Sequence, residues 1–140
     1  MTNLKIQQIS IFLENIEGRI NDVTTTLAKN QINMLAFSMA ETAEFAILRL
    51  IVDDVEGARK ALADAGFAVT LSEVLCIQCA NHAGTLAKII AYLSENKVYI
   101  KYMYAFSQGE LANVVIKPSD RSRCIELLQN MDCSFLNLQK

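Results

Sequence analysis

Apolar residues alternate with polar ones or run together over Lys5–Leu13, as in a strand. They then recur at three- and four-residue spacing over Gly18–Lys29, where Ile20, Val23 and Leu27 form one helical stripe. Two further strands are predicted at Asn33–Met39 and Glu44–Val52. A second helix follows Asp53, a good N-cap residue, and stops at Gly66 before a short strand near Ala68–Leu71. The same order then recurs: strand Val74–Cys79, helix Gly84–Glu95, strands Val98–Phe106 and Glu110–Lys117, a helix after Ser119 and a strand over Cys133–Leu138. Ser107-Gln108-Gly109 reads as the hairpin turn between two of these strands. Asn30 and Asn96, one after each first helix, are of a type that accepts the left-handed conformation used to end helices.

Set against itself at an offset of 66 residues (Ile11 against Ile77), the chain aligns without a gap from 6–71 to 72–137. Identities fall at Ile11/Ile77, Asn15/Asn81, Gly18/Gly84, Leu27/Leu93, Asn30/Asn96, Glu44/Glu110, Ala46/Ala112, Asp54/Asp120 and Leu62/Leu128. The apolar pattern makes the stronger case for duplication. Ile20, Val23 and Leu27 answer to Leu86, Ile89 and Leu93, and Leu48 and Leu50 answer to Val114 and Ile116. The expected fold is therefore α+β: two ferredoxin-like βαββαβ units, 1–71 and 72–140, each an antiparallel sheet with its helices on one face. Units of this size bury only about 60% of their surface alone, so each is expected to need the other or another chain.

The pleat sorts the third strand into a helix-facing set, Ala46, Leu48, Leu50 and Val52, and an opposite set, Phe45, Ile47, Arg49 and Ile51. Phe12, Leu35, Phe37 and Met39 are expected to join the opposite face. A sheet face of that character is expected to be covered, by the second copy or by an identical subunit in a homodimer.

Composition narrows the function. With 52% apolar residues the chain is not disordered, and its net charge of −2 offers no basic face for nucleic acid or an acidic membrane surface. The longest apolar stretches, such as Phe45–Val52, are interrupted and too short to span a bilayer, and the N-terminus carries no secretion signal. Four cysteines in such a chain suit free thiols and a cytoplasmic location.

Candidate chemistry concentrates in two turns between first strand and first helix, Asn15-Ile16-Glu17-Gly18-Arg19-Ile20 and Asn81-His82-Ala83-Gly84-Thr85-Leu86. Glycine lets the backbone bend and another group approach. The amides at a helix start carry partial positive charge and receive carboxylates, while an Asn amide offers donors and an acceptor. On spacing alone such a turn also fits an ordinary loop, and so short a motif leaves both readings open.

Both turns, each beside a second strand that starts at Gln31-Ile32-Asn33-Met34 or Lys97-Val98-Tyr99-Ile100, resemble the ACT-domain pattern, in which Asn-x-Pro-Gly-x-Leu opens a helix. The resemblance, to small stand-alone proteins made of two ACT copies, covers nearly the whole chain. It implies a cytoplasmic, non-catalytic regulatory protein that binds a small effector, an amino acid, at interfaces between ACT units. The positions it points to are Asn15, Ile16, Glu17, Gly18, Arg19 and Asn33 in the first copy. In the second they are Asn81, His82, Ala83, Gly84, Thr85 and Tyr99. Glu17 and Ala83 replace the family's Pro, and Tyr99 stands where the first copy has Asn33, so unequal sites, or one functional site, are expected. Glu17 would compete with an anionic ligand. No cofactor is implied.

Two other readings are an effector-free regulatory subunit of an amino-acid biosynthetic enzyme and a metal carrier using Cys76 and Cys79. Residues three apart in a strand face opposite ways, which argues against one ion on both sulfurs. His82, the single histidine, would touch a ligand or simply face solvent, and no acid or nucleophile stands at a spacing that makes it a catalytic base. Tyr102, Tyr104 and Phe106 share one strand face, but the surroundings are not basic, so packing is expected rather than RNA stacking.

Overall fold

The computed structural model describes residues 6–14, 17–137 and 139. Asn15 and Ile16 of the first turn, together with Lys5 and Leu138 at the ends of expected strands, lie outside the described residues. The elements run β1 (Ile6–Glu14), α1 (Arg19–Lys29), β2 (Met34–Glu41), β3 (Phe45–Val52), α2 (Val55–Asp64) and β4 (Ala68–Ala80). They continue with α3 (Thr85–Glu95), β5 (Ile100–Gln108), β6 (Leu111–Pro118), α4 (Arg121–Leu128) and β7 (Ser134–Phe135). Two expected strands, 68–71 and 74–79, are one strand of 13 residues, because Leu71-Ser72-Glu73-Val74 contains no Gly or Pro to break it.

Two compact units emerge, Gln7–Glu73 with Gln139 and Val74–Asn137 with Ile6, and β4 runs from one into the other. In the first unit β3 lies between β2 and β1, and β4 follows β1. In the second, β4 lies between β7 and β6, and β5 is the outer neighbour of β6. All the registered pairs are antiparallel, so each unit has the expected ferredoxin-like arrangement. Each has its own core. Ile9, Ile11, Leu48 and Leu50 meet Val23, Leu27 and Leu62 in the first, while Leu75, Ile77, Val114 and Ile116 meet Ile89, Leu93 and Leu128 in the second.

The parity of β2 departs from the sequence reading. An extra residue at Leu35 shifts the register between Met34 and Ala36, so that Phe37 pairs with Leu50 and Met39 with Leu48. Phe37 and Met39 therefore stand on the helix side of the sheet, where they remain 61% and 56% exposed. Phe12 and Phe45 do occupy the opposite face, with ring centroids 5.7 Å apart.

Capping residues also sit one position later than expected. Asp54 and Asp120, not Asp53 and Ser119, cap α2 and α4, each accepting a backbone N–H at 3.0 Å. Asp53 and Ser119 instead accept the backbone N–H of Asn33 and Tyr99, at 3.0 and 3.1 Å, pinning the start of the second strand in each unit. Asn30 and Asn96 end their helices without entering the left-handed region. Their side chains donate to the carbonyls of Thr26 and Tyr92, and the next residues, Gln31 (φ 58°) and Lys97 (φ 65°), make the left-handed turn. The N–H groups of Ile32 and Val98 then bond back to Leu27 and Leu93.

Removing one of these caps tests the capping assignment. Asp120→Ala is expected to lower unfolding stability by about 1 kcal/mol in urea titrations, and Ser119→Ala to leave α4 capped.

Candidate functional site

The backbone turns from β1 into α1 and from β4 into α3 through Gly18 and Gly84, both at φ 88°. A side chain at that angle is strained by roughly 1–2 kcal/mol, although an added Cβ at either glycine would meet nothing within 4 Å. Glycine is thus required by the bend and not by crowding. Gly18 and Gly84 occupy the N-cap positions, and among the described residues no side chain caps α1 or α3, in contrast to the Asp-capped α2 and α4. Leading amides of an uncapped helix are donors turned outward, with the positive end of the helix dipole behind them.

Beside the second of these turns lies a cleft of about 310 Å³. Asn81 and His82 line it from the turn, Leu86 from α3, Ala105, Phe106 and Ser107 from the end of β5, and Ala112 and Val114 from β6. Pairing of Cys79 with Ala112 and of Ser107 with Ala112 brings the end of β4 and the β5–β6 hairpin to the same end of the sheet. Asn81 is tied to that hairpin: its N–H donates to the Glu110 carbonyl at 2.7 Å and its side-chain amide to the Gly109 carbonyl at 3.4 Å. The Oδ1 acceptor of Asn81 is not used in either bond.

Ala83 and Gly84 are exposed in the turn and Thr85 is half-buried at the first position of α3, none of them lining the cleft. Tyr99 is exposed at the other end of β5, with its backbone held by Ser119. In the first unit the Asn33 main chain is likewise held by Asp53, whose carboxylate accepts its N–H and whose N–H donates to its carbonyl. Glu17 is exposed, and Arg19 stacks its guanidinium 4.5 Å above the Phe67 ring and approaches Asp22 at 3.6 Å. Nε of Arg19 is screened from solvent and has no hydrogen-bond acceptor among the described residues. None of the cleft walls from β5 and β6 has a binding role in the sequence reading, where Phe106, which lines the cleft, is assigned to packing. Their signal was the hairpin, whose far strand returns to the end of β4.

Cys76 pairs with Val115 and Cys79 with Ala112, so the two side chains face opposite sides of the sheet, and burial pushes the Cys76 thiol up to about 12. Among the described residues no group of three or more His, Cys, Asp or Glu converges as a metal site, and no helix is long and apolar enough to cross a membrane.

A family model described as an ACT domain pair matches residues 4–139. The chain belongs to the ACT-domain family. Its fold is that regulatory fold in tandem, as the turns at Gly18 and Gly84 led one to expect. A crystal structure of a protein from Bacteroides thetaiotaomicron is similar at 47% identity and a TM-score of 0.91, over 95% of this chain and 92% of that one. The regulatory subunit of aspartate kinase from Thermus thermophilus, in its ligand-free form, shares the fold at 15% identity and a TM-score of 0.67, over 92% of this chain and 93% of that one. That from Thermus flavus does so at 15% and 0.64, over 91% and 90%. No curated protein sequence matches the ACT pair described here.

The ACT turn makes a clear mutational prediction. Gly84→Ala is expected to cost about 1 kcal/mol in urea unfolding despite the open space, and Gly84→Asn less, since Asn tolerates the left-handed region.

Proposed function

We propose that this ACT pair is a non-catalytic sensor of a small amino acid, and that the site used is the one in the second unit. The carboxylate would meet the leading amides of α3, the ammonium group Oδ1 of Asn81, and an apolar side chain the wall formed by Leu86, Ala105 and Val114. The observation that carries the choice of unit is a loss of negative charge between equivalent positions. Glu14, Glu17 and Glu41 of the first unit, all exposed, answer to Ala80, Ala83 and Ser107 of the second at the offset of 66 residues. Asp22, in the first turn of α1, answers to Lys88 in α3. Even with Arg19, whose counterpart is Thr85, the first turn carries the more negative surroundings, so an anionic group is favoured more at the second. Met39 also stands where the second unit has Ala105, adding bulk where the cleft is open.

Tyr99 enters this reading only through a neighbour. It precedes Ser107 by eight residues of extended chain, about 26 Å, farther than an amino acid reaches. An effector touching both a turn and a Tyr99 or Asn33 would have to lie between two ACT units. Edge strands β2 and β5, each paired on one side, and the exposed Phe37 and Met39 support association into a homodimer. The signal would be a change in that pairing, because a ligand shifts an equilibrium only by binding its two states unequally.

Calorimetry of the full chain against the proteinogenic amino acids tests the site. At least one is expected to bind, and Ala105→Leu or Ser107→Glu to weaken it by about tenfold or more. Exposed positions such as these tolerate substitution, so thermal stability should hold. Silence toward every amino acid at millimolar concentration would favour an effector-free interaction module instead.

A further inference from the structure

We propose that Cys79 and Cys133 form a dithiol modification site, converted by a low-molecular-weight disulfide into a cross-strand protein disulfide. The inference goes beyond effector binding and rests on strand register. Ile77 pairs with Phe135 and Gln78 with Ser134, where the ladder ends, and carrying that register one residue past β7 puts Cys133 opposite Cys79. The N–H of Leu136 donates to the Cys76 carbonyl at 2.8 Å, which makes that rung a hydrogen-bonded one. Alternation then makes the Cys79/Cys133 position non-hydrogen-bonded, where facing Cα atoms lie about 4.5 Å apart and side chains are closer. Disulfides span Cα separations of about 4.4 to 6.8 Å.

Both side chains share a face: Cys79 belongs to the second unit's core, and Cys133 packs against it. Both also line an open cleft of about 410 Å³ with Met131, Asp132 and Ser134, which gives a small disulfide a way in. Cys133 is half-buried, with its Sγ donating to the Leu128 carbonyl at 3.8 Å, and Cys79 is buried. Cys124, fully buried on α4, lacks that access, and Cys76 is on the other face of the sheet.

The half-exposed Cys133, as thiolate, would attack one sulfur of the small disulfide and expel one thiolate. Cys79, losing its proton to solvent, would then attack the Cys133 sulfur of the mixed disulfide and expel the second. Two protein thiols are oxidised, and one small disulfide is reduced to two thiols. Burial pushes the Cys133 thiol up, with Cys79 and Asp132 adding to it, and burial likewise raises Cys79. Nearby, Cys124 is pushed up to about 11 by burial, Cys133 and Asp120. Raised thiols carry little thiolate at neutral pH, so exchange should quicken as pH rises, about tenfold per unit while the thiol remains protonated. Since β7 is a two-residue strand, the bond would fasten the segment after α4 to β4.

The test is peptide mapping under non-reducing conditions after the reduced full chain is incubated with oxidised glutathione at several alkaline pH values. The expected product is a monomer lighter by about 2 Da, with Cys79 and Cys133 peptides joined. Cys133→Ser should lose the link, and Cys124→Ala should keep it. A persistent glutathione adduct, a bond through Cys76 or Cys124, a bond only between chains, or no reaction at either thiol would each overturn the proposal. The wild-type map decides the matter even if a variant fails to fold.

Discussion

A strand that passes into a helix through a backbone angle near +88° strains side chains and favours glycine, and the rest of the candidate site follows from that bend. At Gly18 and Gly84 the chain gives up the side chain that would ordinarily cap the next helix. The other two helices keep an Asp in that role. Helix amides left without a capping oxygen are poorly satisfied by their own chain and well placed for an outside acceptor. The turn that ends in the second bend is fastened to the β5–β6 hairpin through Asn81, and Leu86 of α3 lines the cleft beside it.

Duplication supplied two such bends, and their surroundings have diverged. The first carries Glu14, Glu17, Asp22 and Glu41 beside one Arg19, and the second has Ala80, Ala83, Lys88, Ser107 and Thr85 at the same positions. The scaffold is common to both: the Asn33–Asp53 and Tyr99–Ser119 main-chain ties are equivalent, and so are the helix ends at Asn30 and Asn96. Fold and binding chemistry thus lie on different residues. Core positions hold the sheet and helices, while a few exposed positions around the bend decide what may approach it.

Much of this was legible in the sequence. The helical stripes at Val23 and Leu27 and at Ile89 and Leu93 are the buried ones, and the βαββαβ order and both glycine bends are where the pattern put them. What escaped was local hydrogen bonding. One bulge at Leu35 inverts the faces of β2 downstream, and a single extra residue leaves no mark on an alternating pattern. Asp53 and Asp54 are equally good caps by type, and only the tie from Asp53 to Asn33 leaves the cap to Asp54. The cleft could not be read for a similar reason: Ala105 and Ser107 are unremarkable residues until the hairpin register carries them to Asn81.

Amide chemical shifts of the labelled full chain, followed by NMR as the amino acid that binds is titrated in, test the central claim directly. The account predicts saturable shifts gathered at Gly84, Thr85, Leu86 and Ala105, with Gly18 and Arg19 unmoved. Shifts centred on Gly18, or movement remote from both bends, would contradict it.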